Sequence, residues 1–302
     1  MNSKKTPRRL HQFFDTQDGI KIFFISNFKK ADPQKPVIIF NYGLVCNTTQ
    51  WDKQYDFFQK EGFQVVLHDY RFHHRSSSGK NLKELTIKKI ASDINELIKH
   101  IGAKKVILFG NSMGVNVCLE YMKRYPKKAV GVVFISGSIK PPKEVMFDTN
   151  LITYVAPFIE MIQHKLPRLF NTIWRTLFFN PLMIKSTLEQ GFNKDLVPEE
   201  VIIHYLKKIG ELAPGVFFQL FKEMNNHKID NYLSRVNIPV LIIGGNKDKI
   251  IPPYLQRILH KKIKKSEIYI LKEGSHMPHM EFANKVNKRV LSFIHRNIEI
   301  FQ

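Results

Sequence analysis

The run Gly110-Asn111-Ser112-Met113-Gly114 constrains the fold of this chain more than any other stretch. Before it stands Lys105-Val106-Ile107-Leu108-Phe109, an apolar run rich in branched residues, which reads as a buried strand. After it stands Val115 to Met122, which reads as a helix facing the core. A serine at a strand-to-helix corner, with glycine two residues away on each side, has the layout of a nucleophile elbow. A Cβ at either glycine is expected to collide with a neighbouring strand or helix. The Ser112 hydroxyl then stands exposed beyond the sheet edge, with a helix N-terminus behind it. A plain glycine turn with a helix-capping serine has the same local text, so the rest of the chain must decide.

Strands and helices alternate around this corner. Leu10 to Phe14 and Ile20 to Ile25 flank Asp18-Gly19, a hairpin signal. Val37 to Phe40 reads as a buried strand, Trp51 to Lys60 as a helix and Phe63 to Leu67 as a strand. Leu85 to Ile101 carries Ile87, Ile90, Ile94, Leu97 and Ile101 at helical spacing, and Val130 to Ile135 reads as another strand. The pattern resumes with the strand Val240 to Gly244, a helix near Leu255 to Lys261, the strand Ile268 to Leu271 and a helix from Phe282 to Ile298. Such alternation predicts an α/β fold, a mostly parallel, doubly wound sheet with right-handed crossovers. Between Lys140 and Val236 the strand signals vanish and the text becomes helical, aromatic and basic. The expected organisation is therefore a core of residues 1–139 and 237–302, interrupted by a helical cap over 140–236.

A serine hydroxyl needs a histidine to take its proton and an acid to orient that histidine. In an open parallel sheet these groups gather beyond the carboxyl ends of strands. After Val240 to Gly244 comes a loop whose only acid is Asp248. After Ile268 to Leu271 comes Lys272-Glu273-Gly274-Ser275-His276. Ser112, Asp248 and His276 are thus the expected catalytic residues. Asp248 also reads as a helix cap before Pro252, and His279 is the nearest rival to His276 as base. Ser136-Gly137-Ser138 follows the strand ending at Ile135 without an acid nearby, which argues against a triad acid there. An acyl-transfer site also needs oxyanion donors. The Met113 N–H is one candidate. The other is the Leu44 N–H, in the loop Asn41-Tyr42-Gly43-Leu44-Val45, where Gly43 permits close backbone approach or simply makes a turn. Tyr42 and Gly43 are the expected substrate contacts of that loop.

These features resemble the α/β-hydrolase fold family, in its esterase and lipase type with a helical cap. The resemblance rests on the elbow, on Gly245 to Pro252 around Asp248, on Gly274-Ser275-His276-Met277-Pro278 with Glu281, and on Asp69-Tyr70-Arg71. It implies a Ser112–His276–Asp248 triad and no cofactor. Two places depart from the family's usual text: Tyr42-Gly43 where it often has His-Gly, and Phe72-His73-His74-Arg75-Ser76 where it has a small glycine-bearing loop. The second puts bulk near the site entrance. Epoxide hydrolases and haloalkane dehalogenases resembling this fold need a carboxylate at the elbow, where this chain has a hydroxyl.

In the cap, Leu166, Leu169, Phe170, Ile173, Trp174, Leu177 and Phe178 fall on one apolar helical face. Ile152, Tyr154, Val155, Phe158, Ile159 and Ile162 add apolar surface upstream. Such a face packs on the core, lines an acyl pocket through Phe170 and Trp174, or touches lipid. The net charge of +21 favours anionic partners. The basic residues are mostly scattered lysines, and no nucleic-acid-binding signature accompanies them. The expected partners are a small-molecule or lipid-like ester and, peripherally, an anionic membrane, with no nucleic acid. Two cysteines, Cys46 and Cys118, are too few for a disulfide framework. Cys118 reads as a small core residue. Cys46, near the expected active-site loop, reads as an unreactive residue because no helix terminus or cation can be placed beside it to activate the thiol. No apolar run reaches membrane-spanning length and none of signal-peptide length follows the basic start, so a cytoplasmic location is expected. The function expected from sequence is hydrolysis of carboxylic esters with an apolar acyl chain. The alternatives are a thioesterase or lysophospholipase, or a catalytically idle scaffold that binds anionic membranes.

Overall fold

The structure, a computed structural model, describes residues 8–145, 161–162, 165–177, 180–181, 185, 189, 191–193, 195–297 and 299. Eight strands form one sheet: β1 (Leu10–Asp15), β2 (Lys21–Ser26), β3 (Val37–Asn41), β4 (Gln64–His68), β5 (Val106–Asn111), β6 (Ala129–Ile135), β7 (Val240–Gly245) and β8 (Ser266–Leu271). Their spatial order is β1-β2-β4-β3-β5-β6-β7-β8. The hairpin β1–β2 and its join to β4 are antiparallel; all other pairings are parallel. Gly19 takes φ +80° at the hairpin turn, a conformation glycine adopts without Cβ strain.

Every residue of β3, β4, β5 and β7 is buried. Pleated strands present alternate residues to opposite faces, so both faces are covered by helices, and the near-continuous Val/Ile/Leu/Phe runs follow from that. The principal helices are α1 (Asp52–Lys60), α2 (Ile87–His100), α3 (Met113–Arg124), α4 (Pro167–Leu177), α5 (Glu199–Glu211), α6 (Pro214–Asn226), α7 (Pro253–Lys262) and α8 (Ala283–Arg296). Helix α2 begins where the Thr86 side chain accepts from Lys89 N–H, and it buries Ile87, Ile90, Ile94 and Leu97. It packs on α3, while α1 packs on α8. A single turn, Thr48–Trp51, precedes α1 and puts Trp51 against Phe40, ring centroids 5.2 Å apart.

Strands β6 and β7 are direct neighbours, so residues 136–239 form an insertion between adjacent strands. Its described regular elements are helical: α4, α5, α6 and two short turns, Pro142–Val145 and Asp230–Arg235. The expected buried stripe of α4 divides. Phe170 and Trp174 pack on Phe217 and Phe218 of α6, with centroid separations of 5.6–6.3 Å. Leu166, Leu169 and Ile173 instead stand 50–54% exposed. Ile152, Tyr154, Val155, Phe158, Ile159 and Phe178 lie outside the described residues. No helix among the described residues is long and apolar enough to cross a membrane.

The strand order reverses at β3: the chain moves from β3 outward to β4, then returns to β5 on the other side. Such a reversal opens a crevice at the carboxyl ends of the two central strands. Asn41 of β3 pairs with Gly110 of β5 there, so the loop after β3 and the corner after β5 meet.

Candidate active site

Ser112 leaves β5 at φ +52°, ψ −119°, a conformation disfavoured for a residue with a Cβ. Two constraints impose it. The Ser112 N–H donates to Ile135 O of the neighbouring strand at 2.9 Å. The corner is also packed without room on either side: a Cβ on Gly110 would lie 2.5 Å from Gly114 O, and one on Gly114 would lie 2.3 Å from Asn41 O. Asn111 and Met113 are fully buried, whereas Ser112 is half-buried. The corner thus presents one side chain outward.

The loops after β7 and β8 are tied together. A Cβ on Gly245 would lie 2.1 Å from Gly274 O, so the two strand ends touch backbone to backbone. Lys247 N–H donates to Gly274 O at 2.8 Å, and Glu273 N–H to Asn246 Oδ1 at 2.7 Å. This brings His276 Nδ1 to 3.0 Å and 3.2 Å from Asp248 Oδ2 and Oδ1, both residues being buried. Asp248 Oδ1 also accepts from Ile250 N–H at 3.0 Å and Ile251 N–H at 2.8 Å. The acid caps a turn and holds the histidine at once, so the two sequence readings of Asp248 are compatible. Its charge and acceptor geometry require the Nδ1–H tautomer of His276, which leaves Nε2 as the basic nitrogen. No hydrogen bond joins Ser112 to His276 among the described residues. Such bonds are often long before substrate arrives.

His279, the rival base, is fully buried, 4.5 Å from the Trp51 ring, and neither ring nitrogen has a partner among the described residues. Burial pushes its pKa down to about 3, so it remains neutral and enclosed.

Gly43 faces the serine: a Cβ built on it would sit 3.3 Å from Ser112 Cβ. The N–H groups of Leu44 and Met113 take part in no hydrogen bond among the described residues. For Met113 this follows from its place at the start of α3, where the first N–H groups have no helical acceptor. The Tyr42 side chain corrects the expectation of substrate contact. It is fully buried, its hydroxyl accepting from Tyr70 N–H at 2.7 Å while Tyr70 donates back to Tyr42 O at 3.0 Å. This reciprocal pair holds the loop. Phe170 and Trp174 sit in the aromatic cluster of the insertion's helices described above.

Supporting residues complete the frame. Glu281 accepts from Ser275 N–H at 2.8 Å, binds the Ser275 hydroxyl and accepts from Asn193 N–H at 2.7 Å, which fixes the loop carrying His276. Arg71 is buried between Asp93, at 2.6 and 2.7 Å, and Asp18, at 3.1 Å, and so clamps α2 to the hairpin. The bulky segment after β4 leans on the loop after β3, with His74 Nε2 donating to Cys46 O at 3.0 Å. Sequence reasoning noted Glu281 and Arg71 without their roles. It missed Tyr205, whose hydroxyl lies 2.8 Å from Cys46 Sγ.

The chain is similar to several known proteins. The bifunctional esterase/perhydrolase DCH of Acinetobacter calcoaceticus is 25% identical over 287 residues, covering 93% of this chain and 99% of that protein. Protein ABHD8 of Homo sapiens is 24% identical over 264 residues, covering 85% of this chain but only 55% of its own length. Among solved structures, the esterase EaEST from Exiguobacterium antarcticum is similar with a TM-score of 0.76 at 19% identity, over 95% of this chain and 100% of that one. A family described as alpha/beta hydrolase fold matches residues 36–283, and the chain belongs to that family.

Proposed function

We propose that the chain is a serine hydrolase that cleaves carboxylic esters with an apolar acyl portion through an acyl-enzyme. The observation that carries this reading is the buried His276–Asp248 pair at 3.0 Å, on strand-end loops that share a rim with Ser112 at its forced positive φ. In this reading Ser112 Oγ attacks the ester carbonyl. His276 Nε2 takes the hydroxyl proton and passes it to the leaving alcohol. Asp248 keeps the ring in the required tautomer and stabilises the cation that forms. The N–H groups of Leu44 and Met113 receive the oxyanion. Water then cleaves the acyl-enzyme, His276 acting as base again. Phe170 and Trp174 supply apolar surface to the acyl chain.

The test is a chain-length series of p-nitrophenyl esters together with labelling by a fluorophosphonate. Wild-type protein is expected to react with both, and Ser112→Ala with neither. Labelling and turnover that survive in Ser112→Ala refute the assignment. A wild-type protein inert to every serine-directed probe favours the binding-scaffold alternative.

A second reading concerns location. Leu169 and Ile173 on α4 and Leu166 just before it are exposed, and Lys165, Arg168 and Arg175 are exposed beside them. An apolar stripe with adjacent cations on a chain of net charge +21 suits peripheral contact with an anionic lipid surface.

A further inference from the structure

The oxyanion-side loop is a tight turn under strain. Cys46 N–H donates to Gly43 O at 3.3 Å, which places Leu44 and Val45 at its centre. Val45 takes φ +49°, a left-handed conformation that a β-branched residue adopts only when its surroundings enforce it. Besides the His74 bond to Cys46 O, two contacts of the Cys46 side chain bear on it. The Cys46 thiol donates to Leu44 O at 3.3 Å. The Tyr205 hydroxyl, reaching out of α5 in the insertion, lies 2.8 Å from Cys46 Sγ.

The direction of the second bond follows from the first. A thiol has one proton, and Leu44 O receives it, so the phenol is the donor to sulfur. Both groups stay neutral, since burial pushes the Cys46 thiol up to about 12 and the Tyr205 phenol well above its usual value. The Tyr205 ring is fixed by an edge contact with Phe192 at 5.6 Å. The result is a relay of three groups, Tyr205 OH to Cys46 SH to Leu44 O, running from the cap into the turn that carries the Leu44 N–H. That turn is the one whose Gly43 abuts Ser112.

We infer that Tyr205 is a positioning residue: its hydrogen bond to Cys46 holds the Gly43–Cys46 turn so that the Leu44 N–H stays aimed at the oxyanion formed on Ser112. This rests on the ester-hydrolase reading above and adds to it that the cap completes the oxyanion site as well as covering it. Without the relay, Val45 relaxes toward the extended region and swings the Leu44–Val45 peptide. The donor is then misplaced in the transition state while the ground-state substrate pocket is unchanged.

The experiment compares wild type with Tyr205→Phe, which keeps the ring and its contact with Phe192. Expected is a fall in kcat of about 10- to 100-fold with KM nearly constant, part of the roughly 100- to 1,000-fold effect of losing an oxyanion donor outright. Cys46→Ala should behave alike. Cys46→Ser should restore most of kcat, because a hydroxyl can accept from Tyr205 and donate to Leu44 O. The Tyr205→Phe/Cys46→Ala double variant should be no worse than either single, since both break one unit. The inhibition constant of a trifluoromethyl ketone, which forms a tetrahedral oxyanion, should rise in step with the loss in kcat/KM. A merely structural role for Tyr205 lowers Tm without that correlation. If wild type turns over ester and Tyr205→Phe keeps its kcat, or changes only KM, this inference fails alone. If wild type is inert, the ester-hydrolase reading fails and takes this inference with it.

Discussion

Replacing Asp248 with asparagine tests the heart of the site without changing its shape. The structure dictates how the amide must sit. Oδ1 of Asp248 already accepts two backbone N–H bonds, from Ile250 at 3.0 Å and Ile251 at 2.8 Å. An amide placed in this carboxylate's position keeps its oxygen on those donors, because turning its NH2 toward them sets donor against donor. The NH2 then replaces Oδ2, 3.0 Å from His276 Nδ1. Nδ1 must become the acceptor, which moves the ring proton to Nε2. A histidine protonated at Nε2 cannot take the proton of Ser112. Losing the orienting charge with geometry intact costs on the order of 10⁴ in kcat, or about 5.4 kcal/mol of transition-state stabilisation. The assay is steady-state hydrolysis of a p-nitrophenyl ester, paired with the rate of fluorophosphonate labelling at Ser112 and a thermal melt. Asp248→Asn should lose both reactivities together while its melt stays within a few degrees of wild type. Retention of activity within about tenfold of wild type would show that another group orients His276, and would remove Asp248 from the mechanism.

Gly114→Ala drives a Cβ to 2.3 Å from Asn41 O, a backbone atom that cannot swing aside. It should destabilise by about 3 kcal/mol, the upper end of overpacking costs, and on the ester-hydrolase reading depress kcat, because Asn41 leads directly into the loop whose Gly43 abuts Ser112. Urea unfolding checks the first, and a loss under about 1 kcal/mol refutes the packing argument. His68 is buried against Asn41 Oδ1 at 3.1 Å, and burial pushes its pKa down to about 3. Its folded pKa lies below the unfolded value near 6.5, so the stability it permits is present above pH 6.5 and is lost as pH falls toward 3. His68→Gln should therefore flatten the pH dependence of unfolding free energy by ~1.4 kcal/mol per pH unit between about pH 6 and 4. An unchanged slope contradicts it. Wild-type protein should co-sediment with phosphatidylglycerol vesicles at low salt and be released near 1 M salt, where screening shortens to about 3 Å. Leu169→Glu with Ile173→Glu should abolish binding, and equal binding by that variant removes α4 from the contact.

Most of the sheet was legible because parallel strands buried on both faces carry unbroken apolar runs, as in Val37–Asn41 and Val240–Gly245. Boundaries shifted by a residue or two, as at β5, which continues through Asn111 to the serine itself. The contact between Asp248 and His276 was legible because the two residues follow strand ends, and their pairing needs only that β7 and β8 be neighbours. Side-chain direction was not legible. Tyr42 looks like a site residue by position, yet its ring turns into the core because Tyr70 offers both a donor and a partner for its carbonyl. Periodicity shows the apolar stripe that α4 carries, but spacing cannot say how much of a face finds a partner, and among the described residues nothing covers Leu166, Leu169 and Ile173. Tyr205 carried no local signal. It lies among Ile202, Leu206 and Ile209 on an ordinary amphipathic helix, and Cys46 is 159 residues away.

The distribution of backbone strain separates the two rims of the sheet. Among the described residues, six that are not glycine have positive φ: Val45, Phe72, His74, Ser112, Ser136 and Glu273. Each lies just beyond the carboxyl end of a parallel strand: β3, β4 twice, β5, β6 and β8. Turns before the amino ends of β4 and β5 also need positive φ, and there the chain uses Gly62 and Gly102. The geometry required is similar, but only one rim meets it with residues that bear side chains. Each such residue costs on the order of 1–3 kcal/mol, against a net stability of roughly 5–15 kcal/mol for a typical fold. Strain on that scale persists only where neighbours overdetermine the backbone. They do: Ser112 N–H is held by Ile135 O and Ser136 N–H by Ile243 O, each at 2.9 Å, and Phe72 N–H by Ser77 O at 3.2 Å. A sheet needed only as a scaffold could relieve all six positions with glycine, as it does at the opposite rim. The carboxyl rim instead holds His74, Ser112 and Glu273, none of them buried, in conformations a side chain disfavours, and of these the proposed ester-hydrolase reading needs Ser112 to stand outward.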